Sequence, residues 1–356
     1  MGVLLPAVTP ASSARPAAAA SACTPRIALV DPDATEATRC LASRLDGWKR
    51  GRLSAIGQQL NVSNRDYLTP LSLLEPDHVS VVGFDVGELA LGETYSFPDP
   101  PLQNLLRLAQ EGAVLTASWH AVNPHTAAPS DDRTWHDLAA LLDGGTPEAQ
   151  AYWADYDRML ALFLRLQSGD GGRYPPAAVV FRPLHEANGN WFWWGRPKPS
   201  VYRAVWARMQ AEAVQAGVHN IVWAYSFAAR AGSWVMHPEN LVPAHVDLAG
   251  IDSYDPEAGR GNGADRLDLR GYSDVADQVA RMTITEAGPH GSARGLWDPA
   301  VITRTVQAAR VRPLWSMLWF DDGTGADGIT GKKQISSLVG GPAWLHSCPN
   351  GLCSLS

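Results

Sequence analysis

Apolar residues along this chain gather into short, nearly unbroken runs. Eight of these runs stand out: Leu53–Gln58, Val79–Asp85, Ala113–His120, Ala178–Glu186, Asn220–Ser226, Val246–Tyr254, Arg281–Glu286 and Pro313–Phe320. Short β-branched runs without polar alternation predict strands buried on both faces, as in a parallel sheet. Between them lie segments with helical spacing, Pro101–Glu111, Pro147–Gln167, Val201–Ala216, Tyr272–Val279 and Pro299–Arg310, most with a proline near the start that suits a first turn. Ahead of the first run, Arg26–Val30 predicts a short strand, and Thr35–Leu45 a helix with Ala37, Cys40, Leu41 and Leu45 on one stripe. Eight such units predict an α/β fold closed into a (β/α)8 TIM barrel. An open doubly wound sheet fits less well, because no glycine-rich phosphate turn follows the first strand.

In such barrels the site forms where the strands end, at the C-terminal mouth. The polar residues at those ends are Gln58 or Gln59, Asp85, His120 with Asn123, His185 with Glu186, Ser226, Asp252 with Tyr254, and Glu286, with Trp319 closing the series. Two of them are glutamates on opposite sides of the barrel order. One acid that protonates a leaving oxygen and one carboxylate that attacks an anomeric carbon are what glycosidic bond hydrolysis needs, held roughly 5 to 5.5 Å apart in retaining enzymes and wider in inverting ones. Ala287 and Gly288 leave Glu286 accessible, which suits a nucleophile, and Tyr254 is placed to orient it. The segment FRPLHEANGNWFWWG, residues 181–195, surrounds Glu186 with His185, Trp191, Trp193 and Trp194. This setting is expected to raise the Glu186 pKa, and flat rings suit the apolar faces of sugars.

Composition narrows the class. The 356 residues are 46% hydrophobic, enough for the core of one large domain, and the net charge of -7 comes from scattered groups with no basic run. Nucleic acid is therefore not an expected partner, and no apolar stretch is long enough for a membrane span. Tryptophan, at 14, outnumbers both tyrosine (9) and phenylalanine (7), as suits a surface that stacks on carbohydrate. Cys23, Cys40, Cys348 and Cys353 lie near the two ends, away from the polar strand ends, a placement that suits disulfides in a secreted protein and leaves three pairings open. Residues 1–25 read as a low-complexity leader or disordered tail, rich in Ala, Pro and Ser and without a basic n-region, which leaves 26–356 as one barrel domain with extensions at both ends. His120 and His185 with Glu186, Glu286 or Asp252 raise zinc as an alternative. However, no histidine has a recognised ligand spacing, so neither metal nor cofactor is expected.

Taken in order, GQQ, SWHAVNP, RPLHEANGNWFWWG, NIVWAYS, VDLAGIDSY and TITEAG resemble glycoside hydrolase family 26, the retaining group dominated by endo-β-1,4-mannanases. The resemblance runs from about Leu53 to Phe320 and implies Glu186 as acid/base and Glu286 as nucleophile. It implies that His185 and Tyr254 orient that pair, that Trp191 is a sugar platform, and that Trp319 floors the central subsite. It also implies that His120 contacts the sugar on the glycone side and that Phe227 and Asp252 line the cleft. A β-mannan polysaccharide is then the expected substrate and a monomer the expected state. Mixed-linkage β-glucan or β-1,3-xylan is the same-family alternative, and a carbohydrate-binding barrel that has lost catalysis is the alternative of another class. The sequence departs from the family at Phe320 and Asp321, where many members carry an arginine, and in the loop between Ser226 and Val246, which lacks the usual Pro-Gly-Asp.

Overall fold

The computed structural model describes residues 23–61, 69–90, 101–230, 232–255, 265–290, 294–324 and 330–355. Residues 1–22, most of the expected leader, lie outside these. Eight parallel strands run in sequence order: β1 (Leu53–Gln59), β2 (Val81–Asp85), β3 (Val114–Ser118), β4 (Val179–Arg182), β5 (Ile221–Ala228), β6 (Leu248–Asp255), β7 (Met282–Pro289) and β8 (Trp315–Leu318). β8 pairs back onto β1 from Ala55↔Trp315 to Gln58↔Leu318, so the sheet closes into the expected (β/α)8 barrel. Helices Pro101–Gln110, Pro147–Ser168, Pro199–Gln215 and Ala300–Ala309 cover its outside at the predicted places. None of the described helices is long and apolar enough to cross a membrane.

Strand alternation divides the side chains into two cores. Val82, Leu115, Phe181 and Ile251 point outward and pack in the large cluster beneath the helices. Val81, Val114, Val180, Val222 and Leu248 point inward and fill the lower barrel with Met317. Above this apolar layer the inward positions turn polar, with Arg182, Ser226 and Asp252 all buried there.

The ends of the chain differ from expectation. Arg26–Val30 is not a strand and joins neither sheet. Its amides are satisfied by carboxylates instead: Arg26 and Ile27 donate to Asp46 (2.7 and 3.1 Å) and Val30 to Asp247 (2.7 Å). The helix Glu36–Gly51 runs past its predicted end and sends Leu41, Leu45 and Trp48 into the bottom of the barrel. A small hairpin follows the barrel, β9 (Asp322–Thr324) with β10 (Thr330–Gly331). The last strand, β11 (Leu352–Ser354), then pairs antiparallel with the start of β1, where the stagger of β2 leaves that strand uncovered. Disulfides join Cys23 to Cys40 and Cys348 to Cys353, a pairing the sequence left open.

Candidate active site

β4 ends at Arg182, four residues short of the predicted end at Glu186, because Pro183 cannot continue the ladder. A tight turn carries the chain onward with Leu184 and Glu186 both at positive φ, 48° and 53°. Such a conformation costs a non-glycine residue about 1–2 kcal/mol and persists only where its surroundings hold it. Here the Glu186 amide donates to Ser226 O (2.9 Å), and Trp194 Nε1 donates to His185 O (2.8 Å). Asn188, fully buried, donates to Ala228 O (2.8 Å) and accepts from Ala228 N (2.9 Å), which ties the turn to β5.

β7 presents the second glutamate through a register shift. Ile251↔Ile284 is followed by Asp252↔Glu286, so Thr285 is an extra residue opposite β6. Thr285 sends its hydroxyl inward to Ser226 Oγ (2.9 Å), and the adjacent Glu286 also faces the mouth. Two consecutive side chains on the inner face are possible only at a bulge, which re-aims the strand.

Glu186, Asp252 and Glu286 therefore converge, each with one carboxylate oxygen within 4.8 Å of the others. Arg182, wholly buried, supplies the positive charge such a cluster demands, with Nη1 2.6 Å from Glu286 Oε1 and 3.9 Å from Asp252 Oδ2. Tyr254 Oη donates to the other Glu286 oxygen at 2.8 Å. Asp252 accepts from Ser226 Oγ at 2.6 Å, and burial together with the Glu286 charge pushes its pKa up to about 8. Burial, then the charges of Asp252 and Glu286, hold Glu186 well above the usual carboxylate range. The predicted elevation is present but its cause differs from expectation. Trp191 donates its indole N–H to Glu186 Oε2, which opposes the rise.

On the β2 and β3 side, Asp85 accepts from both the amide and Nδ1 of His120 (2.9 and 2.7 Å). His120 Nε2 faces His185 Nε2 at 3.2 Å. Although burial opposes it, the Asp85 hydrogen bond and charge leave the His120 pKa raised, whereas burial and the His120 charge push His185 well below the ordinary value. A proton in this pair thus belongs on His120, with Asp85 as its counter-ion.

The carboxylates lie in a cleft of about 1360 Å³ whose walls include His120, Trp191, Trp234, Tyr254, Trp319 and Lys333. His185 and Asp252 lie along it as well, beneath the aromatic walls. Phe227 does not. It follows the inward Ser226, so alternation turns it outward, where it is fully buried and stacks on Tyr225 with ring centroids 5.6 Å apart. Trp193 and Trp194 are likewise buried, donating to Ala121 O and His185 O, and of that trio only Trp191 faces the cleft. Arg182 and Asn188 escaped the sequence reading. An arginine closing an otherwise apolar strand was the available signal for the first, since such a charge is buried only with an acidic partner.

A closed β/α barrel with facing carboxylates at the floor of an aromatic cleft defines the class of the barrel glycoside hydrolases. Residues 77–338 match the family model for glycosyl hydrolase family 26, and the chain belongs to that family. It is 27% identical over 290 residues to a mannan endo-1,4-beta-mannosidase of Bifidobacterium adolescentis, a match spanning 73% of this chain and 28% of that protein. It is 24% identical over 239 residues to a Bacillus subtilis protein of the same name, spanning 63% and 60%. The chain thus spans less than two thirds of the length of these curated relatives. Among solved structures, a modular endo-beta-1,4-mannanase from Cellulomonas fimi superposes with a TM-score of 0.66 at 27% identity, over 82% of this chain and 70% of that one. The catalytic domain of a Bacillus sp. JAMB-750 endo-beta-1,4-mannanase gives 0.71 at 20% identity, over 91% and 93%.

Proposed function

We propose that the chain is an endo-acting β-1,4-mannanase that cleaves mannan, galactomannan or glucomannan backbones with retention of configuration. The reading rests on the approach of Glu186 and Glu286 to within 4.8 Å, a spacing that suits a nucleophile in direct contact with the sugar and leaves little room for an intervening water. The names of the relatives support mannan as the polymer. A cleft large enough for several sugars supports attack within a chain.

In this mechanism Glu186 enters protonated, in keeping with its raised pKa. It gives its proton to the interglycosidic oxygen while Glu286 attacks the anomeric carbon, forming a glycosyl–enzyme ester and releasing the leaving chain. Glu186, now ionised, takes a proton from water, which displaces Glu286 from the anomeric carbon. Arg182 and Tyr254 hold the two oxygens of Glu286 so that one lone pair is aimed at the sugar. The raised pKa values of Glu186 and Asp252 lessen the negative charge set against Arg182, which fits three acids sharing one buried site. Trp319 serves as floor to the reacting sugar, while His120 and His185 contact its hydroxyls. Two disulfides support a secreted enzyme. We assign the activity to one domain, residues 26–356, acting as a monomer.

Reducing-end release from a panel of β-mannan, mixed-linkage β-glucan and β-1,3-xylan tests the substrate. Nuclear magnetic resonance of the first-formed product tests its anomeric configuration. Release from mannan as the β-anomer is expected; preference for another polymer, or an initial α-anomer, would overturn the reading.

A further inference from the structure

Trp234 lies on the loop between β5 and β6 and is 50% exposed. The exposed part of the ring borders the cleft that holds the carboxylates. The loop nevertheless holds it in a defined pose. Gly232 stands so close that a Cβ there would lie 2.6 Å from Trp234 Nε1, so the indole folds back over bare backbone. Val235 N donates to Gly232 O (3.1 Å), closing the turn, and Met236 N donates to Asn188 O (2.8 Å), which fastens the loop to the turn that carries Glu186.

Trp191 is seated in the same manner. A Cβ on Gly189 would lie 2.2 Å from its ring. The two indoles meet nearly edge to face, with centroids 5.8 Å apart and planes at 71°, and form a corner with one wall and one shelf. Since Trp191 donates to Glu186, this corner lies on the acid's side of the site, whereas Tyr254 donates to Glu286. A sugar beyond the protonated oxygen must pass along it.

We infer that Trp234 is a specificity-determining residue of the leaving-group side, its flat face binding a hexose of the departing chain while Trp191 borders the same sugar. This deepens the proposed function and rests on it. The orientation of Trp234 is coupled through Asn188 to the Glu186 turn, so the departing sugar is gripped by the element that protonates it. Sugar–ring stacking on that side promotes cleavage of chains and also retains an acceptor sugar long enough for transfer to compete with water.

The test compares β-1,4-mannohexaose with β-mannobiosyl fluoride, whose leaving group has no ring. Trp234→Ala is expected to lower kcat/KM on the hexaose by about tenfold, mainly through KM, and on the fluoride by less than about twofold. Trp234→Phe, which keeps a flat ring, should recover most of the loss. With β-mannobiose added as acceptor, Trp234→Ala should also yield less transfer product relative to hydrolysis than wild type. Equal losses on both substrates would overturn the inference, since the ring would then act on something other than the departing sugar; a hexaose loss carried by kcat with KM unchanged would overturn it as well, because that pattern belongs to a displaced Glu186 turn, and so would unchanged hexaose kinetics. A wild-type protein inert on both substrates would instead remove the mannanase reading on which it rests.

Discussion

Glu186 and Glu286 have different surroundings, and their variants should fail differently. Glu286→Ala removes the proposed nucleophile and is expected to abolish turnover on every substrate. Glu186→Ala removes the proposed proton donor and should cost about 10²–10⁴-fold on polysaccharide, while glycosylation by activated aryl glycosides falls far less, as burst kinetics would reveal. Asp252 beneath them ties stability to pH. Its folded-state pKa is raised to about 8 from the ordinary 3.8, so its contribution is fully present below about pH 4 and is lost as pH rises through about 8. An amide at that place has no proton to lose. The Tm of Asp252→Asn relative to wild type should therefore rise between pH 5 and 8, and melts at several pH values giving a constant difference would contradict the assignment.

At the level of elements, the two carboxylates meet because two strands end irregularly. The turn after β4 puts Glu186 at positive φ, and the extra residue in β7 rotates Glu286 into the mouth. That bulge depends on room beside β6. A Cβ on Gly250 would lie 2.3 Å from Thr283 Oγ1 and 2.4 Å from Thr285 Cγ2, too close for either hydroxyl side chain to stay in place. Gly250→Ala should destabilise the fold by about 1–3 kcal/mol in urea titration and also lower kcat, because relief of the clash moves the residue next to Glu286. A stability loss with kcat unchanged would separate the bulge from the chemistry.

Over the whole molecule, the polar mouth is balanced by a sealed base. Arg281, buried at the start of β7, donates to Asp46 Oδ1 (2.8 Å), Ile27 O (2.8 Å) and Asp247 O (3.2 Å), bolting the helix Glu36–Gly51 and the N-terminal segment across the bottom of the barrel. Keeping one half of such a pair is worse than having neither, since an unpaired charge then stays in the interior. Asp46→Ala is expected to cost about 3–5 kcal/mol in denaturant titration with the KM of the folded enzyme unchanged, since the base lies at the opposite end of the strands from the cleft. A shift in KM would show that the base and the mouth are coupled.

The barrel was legible in the sequence because strands buried on both faces must be apolar throughout, and eight of these runs with helices between them leave few other ways to fold. Glu186, Glu286, Tyr254 and Trp191 were legible because each lies in the C-terminal half of a strand or in the loop that follows one, the side on which a barrel exposes chemistry. The linear pattern lacks the direction in which a residue points once alternation, a bulge or a left-handed turn has acted on it. Phe227 was expected in the cleft and lies outside the barrel wall. Thr285 is counted as one more strand residue but reverses the facing of Glu286. Arg182, Asn188 and Trp234 acquire their roles only from partners 104, 40 and 43 positions away, at Glu286, Ala228 and Trp191. Local composition determines which elements form, because each residue's preference acts over a few neighbours; the closed barrel alone decides which side chains share a space, because that depends on how distant strands are brought into register.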